Sequence, residues 1–178
     1  MKSRHVDYVP GAGKMPLFPK LIATSFGVGF LPLAPGTWAA ILSIILWLPL
    51  YIWASPIITV SVTGVATLIY CILGIWASSI SERYWGKDPV IACADETVGQ
   101  WFSLLPITGL CPWWEIILSL ILFRFFDIYK PLGIRKMERF PGGYGMMADD
   151  LLAGLYSALI IVAINLILHI NPFVATIQ

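Results

Sequence analysis

Two pairs of adjacent acids stand out in a chain that otherwise avoids charge. One is Asp95-Glu96 in "VIACADETVGQW" (residues 90–101), and the other is Asp149-Asp150 in "YGMMADDLLAG" (residues 144–154). Both lie beside apolar runs, and a charged side chain at the centre of a bilayer costs about 2.5–3.5 kcal/mol on insertion scales. Carboxylates converging in such surroundings must take up protons or share a cation. Asp and Glu are hard oxygen donors, and no His or Cys cluster accompanies them, so the pattern suits Mg²⁺ better than Zn²⁺. Neighbouring helical residues point about 100° apart. Within a pair, then, one acid is expected to bind metal while the other orients a water or a basic side chain.

Simpler readings exist for some of these residues. Asp149 and Asp150 stand where the last apolar run begins, so either can cap a helix N-terminus. Arg124 and Asp127 are three apart and suit an ion pair on one helix face. Cys93 reads as a small core residue and Glu138 as a solvated one. Asp95 and Glu96 have no such alternative, because their neighbours are apolar or small.

Glycine-rich stretches form a second set. "ATSFGVGFLPLAPGTW" (residues 23–38) is apolar but broken by Gly27, Gly29, Pro32, Pro35 and Gly36. It reads as a re-entrant or interfacial segment whose backbone is buried in protein or faces water. It closes on Thr37, a candidate N-cap, and helix N-termini bind phosphate. Gly142, Gly143 and Gly145 offer a similar loop before the last apolar run, and Arg124 and Lys130 are cations suited to an anionic group.

These residues need a scaffold, and composition says which kind. The chain is 58% hydrophobic and only 12% charged, with mean hydropathy +0.83, where soluble domains carry about 25% charged residues. An integral membrane protein follows, and a net charge of +1 gives no field to recruit nucleic acid. The polar N-terminus, broken by Pro and Gly, does not read as a signal peptide. The three cysteines match neither a disulfide framework nor a metal spacing.

Spans of about 17–25 apolar residues are expected over 37–54, 57–80 and 151–170, with two shorter ones over 90–105 and 113–126. Lys and Arg fall in the N-terminal arm, the link after the second span and the link after the fourth. The other connections have none, which is the alternation expected of five spans with a cytoplasmic N-terminus. The expected fold is thus an all-α polytopic bundle in a single domain, with an arm over 1–20 and a motif-bearing core over 23–154. Most acids fall at the cytoplasmic ends, with Asp7 and Glu115 apart. A hard-metal cluster, anion-binding loops and cations at headgroup level point to phosphoryl chemistry on a lipid.

Four blocks, "ATSFGVGFLPLAPGTW", "KDPVIACADETVGQW", "FRFFDIYKPLGIRKMERFPGG" and "YGMMADDLLAG", carry a close resemblance to the phosphatidylglycerophosphatase A family. The departures, Ala39-Ala40 and Ala94, touch no candidate ligand. The resemblance implies a Mg²⁺-dependent phosphatase of the bacterial inner membrane. Its phospholipid substrate would be phosphatidylglycerophosphate and its products phosphatidylglycerol and phosphate. On that reading Asp95, Asp127 and Asp149 lead as metal ligands, with Glu96 and Asp150 as further ligands or the base that aligns water. Arg124 and Lys130 would clamp the phosphate, aided by backbone N–H groups near Thr24, Ser25 and Thr37. Lipid would enter past Trp38, Trp85 or Trp101.

No Cys-x5-Arg loop or Asp-x-Asp pair is present, and His5 and His169 are too far apart in the chain's layout for a histidine mechanism. The alternatives are an ion-coupled transporter, which would spread acids across the membrane depth, and a lipid phosphoalcohol transferase. The motif of the latter finds only a partial echo in "DDLLAG".

Overall fold

A computed structural model describes residues 9–171 and 173. Within them the chain forms seven helices and no strands: α1 (Leu17–Ala23), α2 (Pro35–Trp53), α3 (Pro56–Trp85), α4 (Ala94–Leu104), α5 (Trp114–Tyr129), α6 (Ile134–Met137) and α7 (Gly143–Ile167). A short 3-10 turn covers Val28–Phe30. His5 and Asp7 lie outside the described residues.

Proline and glycine set several of the boundaries. Pro35 and Pro56 open α2 and α3 at the first helical position, where a missing N–H costs nothing. Gly86, at φ 78°, ends α3. Lys130 leaves α5 in the left-handed region, and Pro131 cannot continue the helix.

Among the described residues, three helices are long and apolar enough to cross a membrane: α2, α3 and α7. This corrects the expectation of five spans. α4 has 11 residues and α5 has 16, about 16 and 24 Å at 1.5 Å per residue, short of a hydrocarbon core of about 30 Å. The missing length of α4 went into a turn. Residues 90–93 bend instead of helping a helix start at Val90, because the Cys93 N–H donates to the carbonyl of Ala23 at 2.7 Å.

The five rods nevertheless alternate in direction as the charge pattern requires. Side by side, α2 and α4 run parallel: Glu96 lies against Gly36, Trp101 Nε1 donates to Ser43 O at 2.9 Å, and the Tyr51 hydroxyl donates to Cys111 O at 2.7 Å. The turn between α4 and α5, bounded by Pro106 and Pro112, therefore reaches the far end of α2. α5 returns antiparallel, and α7 runs beside α4. Several interior hydroxyls and an indole are satisfied locally. Thr59, Thr63 and Thr67 each donate to the carbonyl four residues earlier, and Trp47 Nε1 donates to Thr63. At the far end Glu115 is fully buried and accepts from Asn165 Nδ2.

The N-terminal segment dips into the bundle and comes back. Near Val9 the chain pairs with Tyr84, yet Ile22 O accepts the hydroxyl of Tyr70, a site about 22 Å along α3 from its end at Trp85. Phe30 then returns to Trp85, with ring centroids 6.2 Å apart. The segment over residues 23–38, expected to be re-entrant or interfacial, thus folds back along the bundle. It is held by Gly29, where a side chain would overlap Ile91 O at 2.0 Å.

Candidate active site

The site is made where α4 crosses α7. A Cβ on Gly99 would sit 2.7 Å from Asp150 O, and one on Gly154 would sit 2.5 Å from Gly99 O. The two backbones touch because neither residue has a side chain, as at close helix contacts in membranes. Asp95 lies one turn before Gly99 and Asp150 one turn before Gly154, so the crossing carries the acids to each other. One carboxylate oxygen each from Asp95, Glu96 and Asp150 lies within 4.8 Å of the others, and all three residues are buried.

Asp95 and Glu96 occupy the first turn of α4, not the interior of an apolar helix. The helix dipole therefore favours their charge, by about 0.3–1 kcal/mol each. Burying an ion costs several kcal/mol even after relaxation, so the dipole alone does not hold three carboxylates together. Oxygens on opposite sides of Mg²⁺ at about 2.1 Å stand about 4.2 Å apart. The trio's oxygens lie within 4.8 Å of one another, close enough to share one such ion, and Asp150 Oδ2 has no hydrogen-bond partner among the described residues. The donor set fits a hard divalent cation.

The other acids face cations. Asp127 accepts from Arg124, Nη1 to Oδ2 at 2.6 Å, so the i,i+3 pair read from the sequence forms. Asp149 pairs with Lys130, whose Nζ also lies 2.7 Å from Glu138 Oε1. Glu138 is thus an ion-pair partner and not merely solvated. Burial alone would lower the pKa of Lys130, but Asp149 and Glu138 outweigh it and hold the ammonium above the usual lysine range. The second acid pair divides, but not in the expected order: Asp150 joins the trio, while Asp149 and Asp127, expected to lead as metal ligands, pair with Lys130 and Arg124. The first pair does not divide, because the longer arm of Glu96 brings its oxygen back beside Asp95.

Two readings need correcting. Capping does not explain Asp149 and Asp150, because α7 starts at Gly143, two turns earlier than the apolar run suggested. The Gly143 N–H donates to Ser79 Oγ on α3 at 3.0 Å, and a side chain there would strike Ile75 O at 2.3 Å. Gly142 and Gly143 are therefore packing residues against α3, and Gly145 packs against the carbonyl of Phe140 in the preceding turn, so the three are used by packing and not by a phosphate loop.

Thr24 and Ser25 are also spoken for. Their N–H groups donate to Lys20 O and Ile22 O. Ser25 Oγ lies 2.9 Å from Cys93 O and 2.8 Å from Thr97 Oγ1, bolting the re-entrant loop to the start of α4. Ser25→Ala is expected to lower stability by about 1–2 kcal/mol without raising KM for a phosphate ester; thermal unfolding and steady-state kinetics would separate the two roles.

Thr37 is the third residue of α2, with Ala34 at the N-cap. The first-turn N–H groups of Gly36 and Thr37 have no partner within the helix, and they border the trio through Glu96. Of the three tryptophans, Trp85 is buried, Trp101 is bonded to Ser43, and Trp38 remains exposed at the mouth of α2. Cys93 is buried in the core as expected. Gly99 and Gly154 were the residues missed from the sequence. A signal existed: each glycine follows its acid by four residues, so both lie on the acid's face of the helix.

Known proteins can be set beside this geometry. A family model described as Phosphatidylglycerophosphatase A matches residues 21–165. A Bacteroides thetaiotaomicron protein named "Putative phosphatidylinositol-3-phosphatase" is 46% identical over 150 residues, covering 83% of this chain and 94% of that one. Proteins named Phosphatidylglycerophosphatase A are 34% identical in Haemophilus influenzae, over 82% of this chain and 87% of theirs, and 28% identical in Escherichia coli K12, over 87% and 88%. No solved structure matches the chain. The match spans the re-entrant loop, the crossing and every acid of the site, and the chain belongs to the phosphatidylglycerophosphatase A family.

Proposed function

We propose that this protein hydrolyses the terminal phosphomonoester of phosphatidylglycerophosphate at the cytoplasmic headgroup level of the bacterial inner membrane, with Mg²⁺ held by Asp95, Glu96 and Asp150. The observation that carries the reading is the convergence of these three buried carboxylates from two helices. Their depth supports a lipid substrate. α2 has 19 residues, about 28 Å, which matches the hydrocarbon core, and the trio lies at its first turn. α3, with 30 residues, projects about 15 Å beyond that level. The acids therefore sit where headgroup meets acyl chain, on the side that the lysines and arginines mark as cytoplasmic.

A divalent ion bound there would polarise a phosphoryl oxygen and offset the charge that develops in the transition state. The chain's own groups do the rest. The first-turn N–H groups of α2 are placed to receive a phosphate oxygen. Lys130, kept protonated by Asp149 and Glu138, and Arg124, kept in place by Asp127, supply positive charge around the entering phosphate. Each acid offers the metal one oxygen, and the second oxygen of one of these carboxylates accepts the proton of an attacking water. A second reading rests on the Bacteroides relative named "Putative phosphatidylinositol-3-phosphatase", and its substrate would be phosphatidylinositol 3-phosphate. Both lipids present a phosphomonoester on an alcohol that is itself joined to diacylglycerol by a phosphodiester.

The test is direct. Purified protein in detergent should release phosphate from phosphatidylglycerophosphate with Mg²⁺, fall to background with EDTA and recover when Mg²⁺ is restored. Faster release from phosphatidylinositol 3-phosphate would favour the second reading, and release from neither would end both.

A further inference from the structure

Gly29, Gly143 and Gly154 each leave room for a backbone carbonyl of a neighbouring segment. Gly36 leaves room for something else. A Cβ there would lie 2.1 Å from Glu96 Oε1, 2.7 Å from its Cδ and 3.0 Å from its Cγ. No other described glycine would meet a carboxylate closer than 3.0 Å. Gly36 is the second residue of α2 and is buried, and Glu96 stands in the first turn of α4 and is buried too. The two helices run parallel, so their positive N-terminal ends lie side by side and both favour a negative charge between them. The arm of Glu96 that reaches back beside Asp95 therefore rests on the bare backbone of α2.

We propose that Gly36 is a positioning residue of the metal site: its missing side chain is the seat that holds the Glu96 carboxylate where it shares a cation with Asp95 and Asp150. The inference rests on the reading of the trio as a divalent-cation site and names the residue that sets one of its ligands. Ordinary contact between such atoms needs about 3.5 Å, so a methyl at position 36 drives the carboxylate back by about 1 Å or more. Both oxygens must move, because the carboxyl carbon is also too close. Metal–oxygen distances tolerate about 0.2 Å, so Glu96 would leave the coordination sphere. The fold has less to lose. A side-chain end can turn aside, whereas the carbonyl that faces Gly154 cannot.

The test reads metal binding without turnover. Mn²⁺ takes the same octahedral oxygen donors as Mg²⁺, and electron paramagnetic resonance measures its free fraction over the full chain in detergent. Gly36→Ala should weaken Mn²⁺ binding about 10–100-fold, while its melting temperature in EDTA stays close to that of the wild type. Glu96→Ala should weaken binding to a similar extent. Adding Gly36→Ala to Glu96→Ala should then cost less than about twofold more, because the three atoms that the methyl would strike are gone. Unchanged affinity in Gly36→Ala overturns the proposal. So does a full further loss in the double variant, or a double variant that does not fold, since either places the clash elsewhere. If Gly36→Ala alone fails to fold, restored folding in the double variant supports the same contact. Wild type that binds no Mn²⁺ removes the trio as a metal site and this assignment with it. Wild type that binds Mn²⁺ yet releases no phosphate from phosphatidylglycerophosphate ends the phosphatase reading alone, and the ratio of affinities still decides the role of Gly36.

Discussion

Asp150→Asn is expected to lower phosphate release by about a thousandfold or more while leaving the protein folded. Metal-borne stabilisation of a phosphoryl transition state is worth several kcal/mol, and each 1.36 kcal/mol is tenfold in rate. Without metal the variant should be slightly more stable than wild type, because one of three mutually repelling buried carboxylates has lost its charge. With saturating Mg²⁺ the order should reverse. A ligand at a hundred times its Kd adds about 2.7 kcal/mol to the native state, and the variant forfeits most of that. Phosphate release and thermal unfolding, each with and without Mg²⁺, give four readings. A variant that keeps its turnover, or wild type that melts identically in Mg²⁺ and EDTA, would remove the trio from the mechanism. Asp127→Asn serves as the comparison: its carboxylate is committed to Arg124, so it should lose activity without losing the Mg²⁺-dependent rise in melting temperature.

A single methyl group at the helix crossing should do almost as much damage from outside the chemistry. In Gly154→Ala the new Cβ would lie 2.5 Å from Gly99 O and 3.1 Å from Phe102 Cβ. A backbone carbonyl cannot rotate away as a side chain can, so α4 and α7 must separate. Overpacking of this kind costs about 1–3 kcal/mol. Separation also draws Asp150 back from Asp95 and Glu96, and a misplacement of about 1 Å can lower turnover about a hundredfold. Gly64→Ala provides the control. Its Cβ would meet only Leu105 Cδ2 at 3.8 Å, and alanine in mid-helix gains about 0.5–1 kcal/mol over glycine. The melting temperatures of the two variants should move in opposite directions, and only Gly154→Ala should lose turnover. Equal behaviour would show that the crossing does not set the site.

Much of this architecture can be read along the chain, and particular residues show where reading stops. The breaks between the expected spans at residues 55–56 and 106–112 were legible because proline limits its own backbone wherever it stands. The i,i+3 pairing of Arg124 with Asp127 was legible because helix geometry alone brings such residues together. The starts of α4 and α7 were not. Residues 90–93 bend because Ala23 and Gly29, far away in sequence, claim their backbone. α7 gains two turns because Ser79 of α3 caps Gly143. Thr24 and Ser25 looked like phosphate ligands until the loop's own hydrogen bonds were seen to use them.

By itself, then, the amino-acid sequence determined that this is a helical membrane protein with alternating rods, that its acids collect toward one end of the bundle, and that they offer hard oxygen donors with no His or Cys cluster beside them. Those properties depend on transfer free energy, helical period and donor chemistry, which each segment carries alone. Only the tertiary structure decided which acids meet. Asp150 joins Asp95 and Glu96, and Asp149 turns to Lys130, because two glycines on different helices let their backbones touch, and a contact between segments some fifty residues apart leaves no trace in the period of either one.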